Sequence, residues 1–238
     1  MRRHAPRSTA LEWRDVSLDL GAFRVEDVTL RVEDGAWIAI VGPTGAGKTL
    51  LLETAAGFLR PTSGRILRDG FDVTDEPPET RELAYVPQDD LLFPHLDVRR
   101  NLAFGTPLGA TDDARLTRVA TSLGIAHLLE RRTHAISGGE AQRVAVGRAL
   151  LSGSTTLLLD ECTSALDEVT RAHVGETLAR ERTERGLSIV QVTHDRGEAH
   201  RLADAIVAMD CGHIVEGDTD ARSIRTDGPV GGARRISG

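Results

Sequence analysis

At 238 residues the chain has room for one large α/β domain, or a core with an inserted lobe, around a sizeable buried interior. Hydrophobic residues at 40% and charged residues at 27% are the balance of a globular chain, and aromatics at only 3% leave its core to Leu, Val, Ile and Ala. A formal charge of −7 argues against a nucleic-acid binder, which needs a basic face to neutralise phosphates.

Residues 1–10 are a basic, polar extension without the apolar stretch of a secretory leader, and no later run approaches the roughly 18–20 residues of a membrane helix. Leu11–Leu20 and Val25–Val32 alternate apolar and polar residues, as half-buried antiparallel strands do. Trp37–Val41 is a short, wholly apolar strand that runs into Gly42-Pro43-Thr44-Gly45-Ala46-Gly47-Lys48-Thr49, and Lys48–Phe58 reads as the helix that follows. Gly64–Leu67 and Phe71–Val73 form a hairpin across Asp69-Gly70, a primed-turn pair. Ala84–Pro87 is a strand leading into Gln88. From 89 to 150 the pattern is helical, with turn residues at Thr106–Gly109.

Strand Thr155–Leu159 then ends in Asp160-Glu161. It is followed by helix Glu168–Glu184, strand Ser188–Val192, helix Arg196–Ala203, and a hairpin of Ile206–Met209 with Ile214–Glu216. Residues 226–238 lack periodicity and read as a loose tail. Strands alternating with helices predict a mostly parallel sheet covered on both faces. The expected organisation is a single domain over 11–225, its core formed by 11–88 and 151–225 and its helical subdomain by 89–150.

The glycine loop between strand and helix carries the strongest chemical signal. Its amides and the helix N-terminus suit phosphate, and Gly42, Gly45 and Gly47 permit close backbone approach. Lys48 is the only lysine in a chain whose other basic residues are arginine, and a compact ammonium suits β/γ-phosphates where a planar fork does not. Thr49 offers a hydroxyl to Mg²⁺. Asp160, at the carboxyl end of an apolar strand, reads as a second magnesium ligand with Glu161 beside it placed to polarise an attacking water, although taken alone the pair is equally a helix N-cap with a surface glutamate. Ser137-Gly138-Gly139-Glu140 opens another helix, either as a simple cap or as an anion-binding terminus. Read singly, Gln88 is equally a loop residue, Asp167 equally the cap of the helix at Glu168, and His194 more readily another helix start.

Taken together, G-P-T-G-A-G-K-T, Gln88, I-S-G-G-E, L-L-L-D-E, S-A-L-D and His194 resemble, in order and spacing, the motifs of ATP-binding cassette (ABC) ATPases over residues 11–218. The resemblance implies an α/β P-loop NTPase with a RecA-like, mostly parallel sheet, an N-terminal antiparallel β-subdomain and an inserted α-helical subdomain, using ATP and Mg²⁺. It implies that residues 42–50, from Gly42 through Pro43, Thr44, Gly45, Ala46, Gly47, Lys48 and Thr49 to Leu50, bind nucleotide. Gln88 then contacts Mg²⁺ and senses the γ-phosphate, and His194 contacts that phosphate as well. Ser137, Gly138, Gly139 and Glu140 act in trans, closing over the nucleotide of a second, head-to-tail copy, with Asp167 at the interface. Phe23 stacks on adenine, with Trp13 as the second candidate.

The stretch L-F-P-H-L after Gln88 resembles importer ATPases, and Leu20–Val25 with Leu123–Leu129 are most similar to molybdate/tungstate importers. That implies a cytoplasmic chain on the inner face of the membrane, bound to integral-membrane permease subunits. Gln88–Leu96, an apolar, aromatic patch flanked by charges, is the expected docking surface, or else a local core under the helical lobe. An extracytoplasmic solute-binding protein then acts through the permease. Sulfate, polyamine, sugar and export systems, and a soluble non-transport ATPase, stay as alternatives. The chain departs from the family pattern in Ile136, Glu140 and Cys162. The last adds a buried thiol near the nucleotide, where it is expected to be sensitive to alkylation. Cys162 and Cys211 have no metal-ligand spacing and read as free thiols.

Overall fold

The computed structural model describes residues 8–89, 92–106 and 112–218. The tail at 226–238, most of the N-terminal extension and the turn at 107–109 lie outside the described residues.

Two sheets form the frame. Strands β1 (Thr9–Asp19), β2 (Arg24–Glu33), β4 (Ser63–Arg68) and β5 (Phe71–Asp72) make an antiparallel sheet in the order β2-β1-β4-β5. Strands β3 (Trp37–Val41), β6 (Leu83–Val86), β7 (Thr156–Asp160), β8 (Ser188–Val192), β9 (Ala205–Asp210) and β10 (His213–Asp218) make the second. Its order is β10-β9-β3-β8-β7-β6, parallel throughout except for the β9–β10 hairpin. Every residue of β3, β7 and β8 is buried, which is why β3 is apolar throughout and β7 and β8 are mostly apolar rather than alternating.

Six α-helices complete the described fold: α1 (Lys48–Ala56), α2 (Val98–Ala103), α3 (Asp113–Ser122), α4 (Gly138–Leu151), α5 (Glu168–Arg185) and α6 (Arg196–Leu202). One core lies between the two sheets and α1, built on Trp13, Leu30, Ile38, Leu51, Ile66 and Val207. A second joins the parallel sheet to α2–α5 through Leu102, Val146, Leu159 and Leu178, and a small third holds Ala39, Val41 and Ala199. Because β6, β7, β8 and β3 run parallel, their carboxyl ends, and the loops holding Gln88, Glu161, His194 and Lys48, emerge at one edge.

Several ends differ from the expected ones. Strand β1 starts at Thr9 because Thr9 pairs with Glu33 of β2. Helix α1 stops at Ala56 because Gly57 adopts φ 89° and returns its N–H to Glu53 O. The helical stretch after Gln88 is broken into α2, α3 and α4 with single 3₁₀ turns at Ala126–Leu128 and Thr133–Ala135.

Candidate nucleotide site

The loop after β3 is built on glycine by necessity. A Cβ on Gly42, at φ 156°, would sit 2.0 Å from Met209 O, and one on Gly47, at φ 97°, would sit 3.0 Å from the Phe23 ring. Helix α1 follows with no capping side chain and no acid in its first turn, which leaves its N-terminal amides and dipole for an anion. Lys48 is 6% exposed, and Nζ donates to Gly42 O at 2.9 Å and Pro43 O at 3.0 Å.

At the end of β7, Asp160 is 1% exposed. Its carboxylate accepts hydrogen bonds from Thr49 Oγ1 and from the Tyr85 hydroxyl, each at 3.1 Å. Burial pushes the Asp160 carboxyl up, opposed by those two bonds. Burial first, and then the charge of Asp160, push the Tyr85 phenol far above its ordinary value, so Tyr85 is a donor here. Glu161 takes φ 46°, the left-handed region rarely used by a side-chain-bearing residue, and its N–H donates to Val192 O at 3.0 Å. That turn sets its carboxylate 4.0 Å from Lys48 Nζ and 3.6 Å from His194 Nδ1.

A cleft of about 360 Å³ is lined by Phe23, Thr44, Gly47, Lys48, Gln88 and Glu161, with Gly45, Thr49 and Leu50 completing it. Beyond Phe23 it is continued by a second cleft of about 430 Å³ that Arg24, Ala46, Cys211 and His213 help to line. The Thr49 hydroxyl, Asp160 carboxylate and Gln88 carboxamide are an all-oxygen donor set, the chemistry that suits Mg²⁺.

Phe23 is half-buried over Gly47 at the junction of the two clefts. Trp13, the other aromatic considered for stacking, is excluded from that role. It is fully buried in the core, with Nε1 bonded to Leu51 O at 3.0 Å. Cys162 is buried as expected, at 2% exposure, but burial pushes its thiol up to about 12, so the expected sensitivity to alkylation is corrected: it resists alkylation. Cys211 is the exposed thiol.

Ser137 caps α4 in a reciprocal box, with Ser137 N donating to Glu140 Oε2 at 2.7 Å and Glu140 N donating to Ser137 Oγ at 3.3 Å. The bond from Ser137 N holds the Glu140 carboxyl below its usual range. Ser137 and Gly138 are exposed, and none of residues 137–140 lines the phosphate-loop cleft of its own chain. Gly138 instead helps line a groove of about 670 Å³ with Gln88, Leu92, Pro94, Gln142 and Ser164. Asp167 is exposed and caps α5, accepting from Thr170 N at 2.9 Å and Thr170 Oγ1 at 2.7 Å.

One chain thus gathers Phe23, the phosphate loop, Gln88, Asp160, Glu161 and His194, and leaves Ser137–Glu140 and Asp167 outside that cleft. Sequence reasoning missed Tyr85, Arg171 and Glu198. Only the place of Tyr85 on the strand leading to Gln88 hinted at the first, and nothing local marked the others.

Among known proteins, the chain is 44% identical over 205 residues to the molybdate/tungstate import ATP-binding protein WtpC of Thermococcus kodakarensis, covering 84% of this chain and 62% of that protein. WtpC of Archaeoglobus fulgidus is 46% identical over 182 residues, 76% of each chain. The maltose/maltodextrin import ATP-binding protein MalK of Yersinia pestis is 41% identical, covering 80% of this chain and 53% of MalK. The chain therefore spans only 61–62% of the length of several WtpC relatives. Among solved structures, the ATP-binding cassette MJ0796, a dimer in a post-hydrolysis state bound to ADP and Pi, is similar at TM-score 0.78 and 26% identity over 87% of this chain and 97% of that one. A bacterial Atm1-family ABC exporter with ATP bound gives TM-score 0.79 and 28% identity over 90% of this chain and 39% of the exporter. The fold is that of a P-loop NTPase. The family described as ABC transporter matches residues 25–164, more than half of the sequence and the span holding both Lys48 and Glu161. The chain belongs to the ABC transporter family.

Proposed function

We propose that this chain is the ATP-binding and ATP-hydrolysing subunit of an importer whose cargo is an oxyanion such as molybdate or tungstate. The observation that carries the ATPase reading is the meeting of Lys48, Asp160 and Glu161 at one edge of the sheet, beside a helix terminus free of acids. The cargo reading rests on similarity to the WtpC proteins.

Phe23 stacks on the base, the loop amides hold the phosphates, and Lys48 exchanges the carbonyls of Gly42 and Pro43 for β- and γ-phosphate oxygens. Magnesium, when bound, offsets triphosphate charge, and Thr49, Asp160 and Gln88 are the residues that fit it. Glu161 orients a water on the γ-phosphorus and accepts its proton, with His194 holding the γ-phosphate. The new P–O bond forms as the bond to the β-bridging oxygen breaks, leaving ADP and phosphate. Ser137, Gly138, Gly139 and Glu140 of a second copy close the other side, and Asp167 crosses the interface. Their absence from the lining of their own chain's cleft supports that arrangement. No helix among the described residues is long and apolar enough to cross a membrane. The stroke is passed to integral-membrane permease subunits. The groove of Gln88, Leu92, Pro94 and Gln142 is the docking surface proposed for them. A solute-binding protein acts through the permease, with this subunit on the cytoplasmic face.

Glu161→Gln tests the reading. The variant is expected to lose phosphate release by about a hundredfold or more while still binding ATP and pairing in its presence. Mixing Lys48→Ala with Ser137→Arg chains, each inactive alone, is expected to restore one composite site and part of the turnover. Wild-type phosphate release by Glu161→Gln defeats the base assignment, and no recovery on mixing defeats the shared site.

A further inference from the structure

Glu198 lies in the first turn of α6, four residues beyond His194, and is 1% exposed. Its carboxylate accepts hydrogen bonds from three side chains: Thr163 Oγ1 at 3.2 Å, Thr193 Oγ1 at 3.1 Å and Gln191 Nε2 at 3.0 Å. Thr163 stands two residues after Glu161, and Thr193 directly precedes His194. Gln191 is itself anchored, its Oε1 accepting from Trp37 Nε1 at 3.1 Å. The backbone closes the turn, Asp195 N donating to Thr193 Oγ1 at 3.1 Å and Glu198 N to Asp195 Oδ1 at 3.0 Å.

Arg171 of α5 ties the same two loops from outside. Nε donates to Thr163 O at 3.2 Å, Nη2 to Leu166 O at 2.9 Å and Nη1 to Asp195 Oδ2 at 2.9 Å. Burial pushes the Glu198 carboxyl up, the cost of keeping a carboxylate where an apolar side chain would pack more cheaply. What the carboxylate supplies in return is direction. It has acceptor capacity for three donors from two different loops, and no apolar side chain supplies that.

We infer that Glu198 is a positioning residue: through Thr163 and Thr193 it couples the loop of Glu161 to the loop of His194 and maintains their 3.6 Å approach. This rests on the ATPase reading above. It adds that the loops after β7 and β8 move as one body around a buried carboxylate.

The test compares Glu198→Ala, Glu198→Gln and Thr163→Val in the full chain. Steady-state ATP turnover is measured beside binding of a fluorescent ADP analogue. Glu198→Ala is expected to lower kcat by about 10–100-fold with the analogue's Kd held within about twofold. Glu198→Gln keeps one acceptor for Thr193 and Gln191 and one donor for the Thr163 oxygen, and is expected to recover most of the turnover. Thr163→Val is expected to lower kcat alone and to add little in the Glu198→Ala background. Near-wild-type kcat in Glu198→Ala, parallel loss of kcat and nucleotide affinity, or a Glu198→Gln as slow as Glu198→Ala overturns the inference. If Glu198→Ala fails to fold, Thr163→Val decides: lowered kcat at unchanged Kd supports it, and normal kcat overturns it. Glu161→Gln run in parallel separates the failures. If it stays inactive while Glu198→Ala turns over normally, only this inference falls. If it hydrolyses ATP normally, the ATPase reading falls and takes this one with it.

Discussion

Lys48 Nζ and Glu161 Oε1 stand 4.0 Å apart, bringing together the first residue of α1 and the residue that follows β7. The ammonium also donates to two loop carbonyls, so its place is set by the backbone as well as by the carboxylate. Lys48→Ala is expected to weaken binding of a fluorescent ATP analogue by roughly tenfold to a hundredfold, the worth of a charge-assisted hydrogen bond. Lys48→Arg is expected to recover little, because a planar fork does not fit between Gly42 O and Pro43 O. Wild-type affinity in either variant would remove Lys48 from the phosphate site.

Phe23 and Trp13 make opposite predictions. Phe23→Ala is expected to lower nucleotide affinity about tenfold, within the roughly 1–3 kcal/mol of one stacked base, and Phe23→Trp to retain it. Trp13→Phe removes the bond to Leu51 O and is expected to cost about 1 kcal/mol of stability with no change in affinity. Calorimetric titration and urea unfolding separate the two. Unchanged affinity in Phe23→Ala would move the base to another part of the cleft.

The two thiols differ in access. Cys211 is exposed, and Cys162 is buried with its thiol pushed up to about 12, so its reactive thiolate is scarce at neutral pH. A maleimide is expected to add once to the native chain, at Cys211, and to reach Cys162 only after unfolding. Peptide mass spectrometry reads the sites, and native labelling of Cys162 would contradict the burial.

Arg81 is a buried guanidinium that caps the far end of the phosphate-loop helix. Nη1 donates to Thr54 O at 2.7 Å and Ala55 O at 2.9 Å, Nε to Glu76 O at 2.8 Å and Nη2 to Thr74 O at 2.8 Å. Arg81→Met leaves those carbonyls without their donor and is expected to destabilise the fold by about 3 kcal/mol in urea unfolding. A loss below about 1 kcal/mol would mean that water takes over the carbonyls.

Much of the architecture was legible before folding, for local reasons. Trp37–Val41 reads as a buried strand because it is apolar throughout, and the glycines after it require a loop at that point. The limits of the elements were less legible. Thr9 joins β1 because Glu33 is there to pair with it, and α1 ends where Gly57 turns left-handed. Of the two aromatics near the loop, the resemblance ranked Phe23 first and Trp13 second without excluding either. Packing decided, by burying Trp13 beneath α1 and leaving Phe23 over Gly47.

The sequence alone determined the order of strands and helices, the phosphate loop with its single ammonium, and the acidic pair at a strand end, because periodicity and turn chemistry act between chain neighbours. The tertiary structure decided that Tyr85 bonds Asp160 and that Glu198 joins Thr163 to Thr193. The reason is the sheet order β3-β8-β7-β6, which sets side by side strands that lie far apart along the chain. No local pattern carries that pairing.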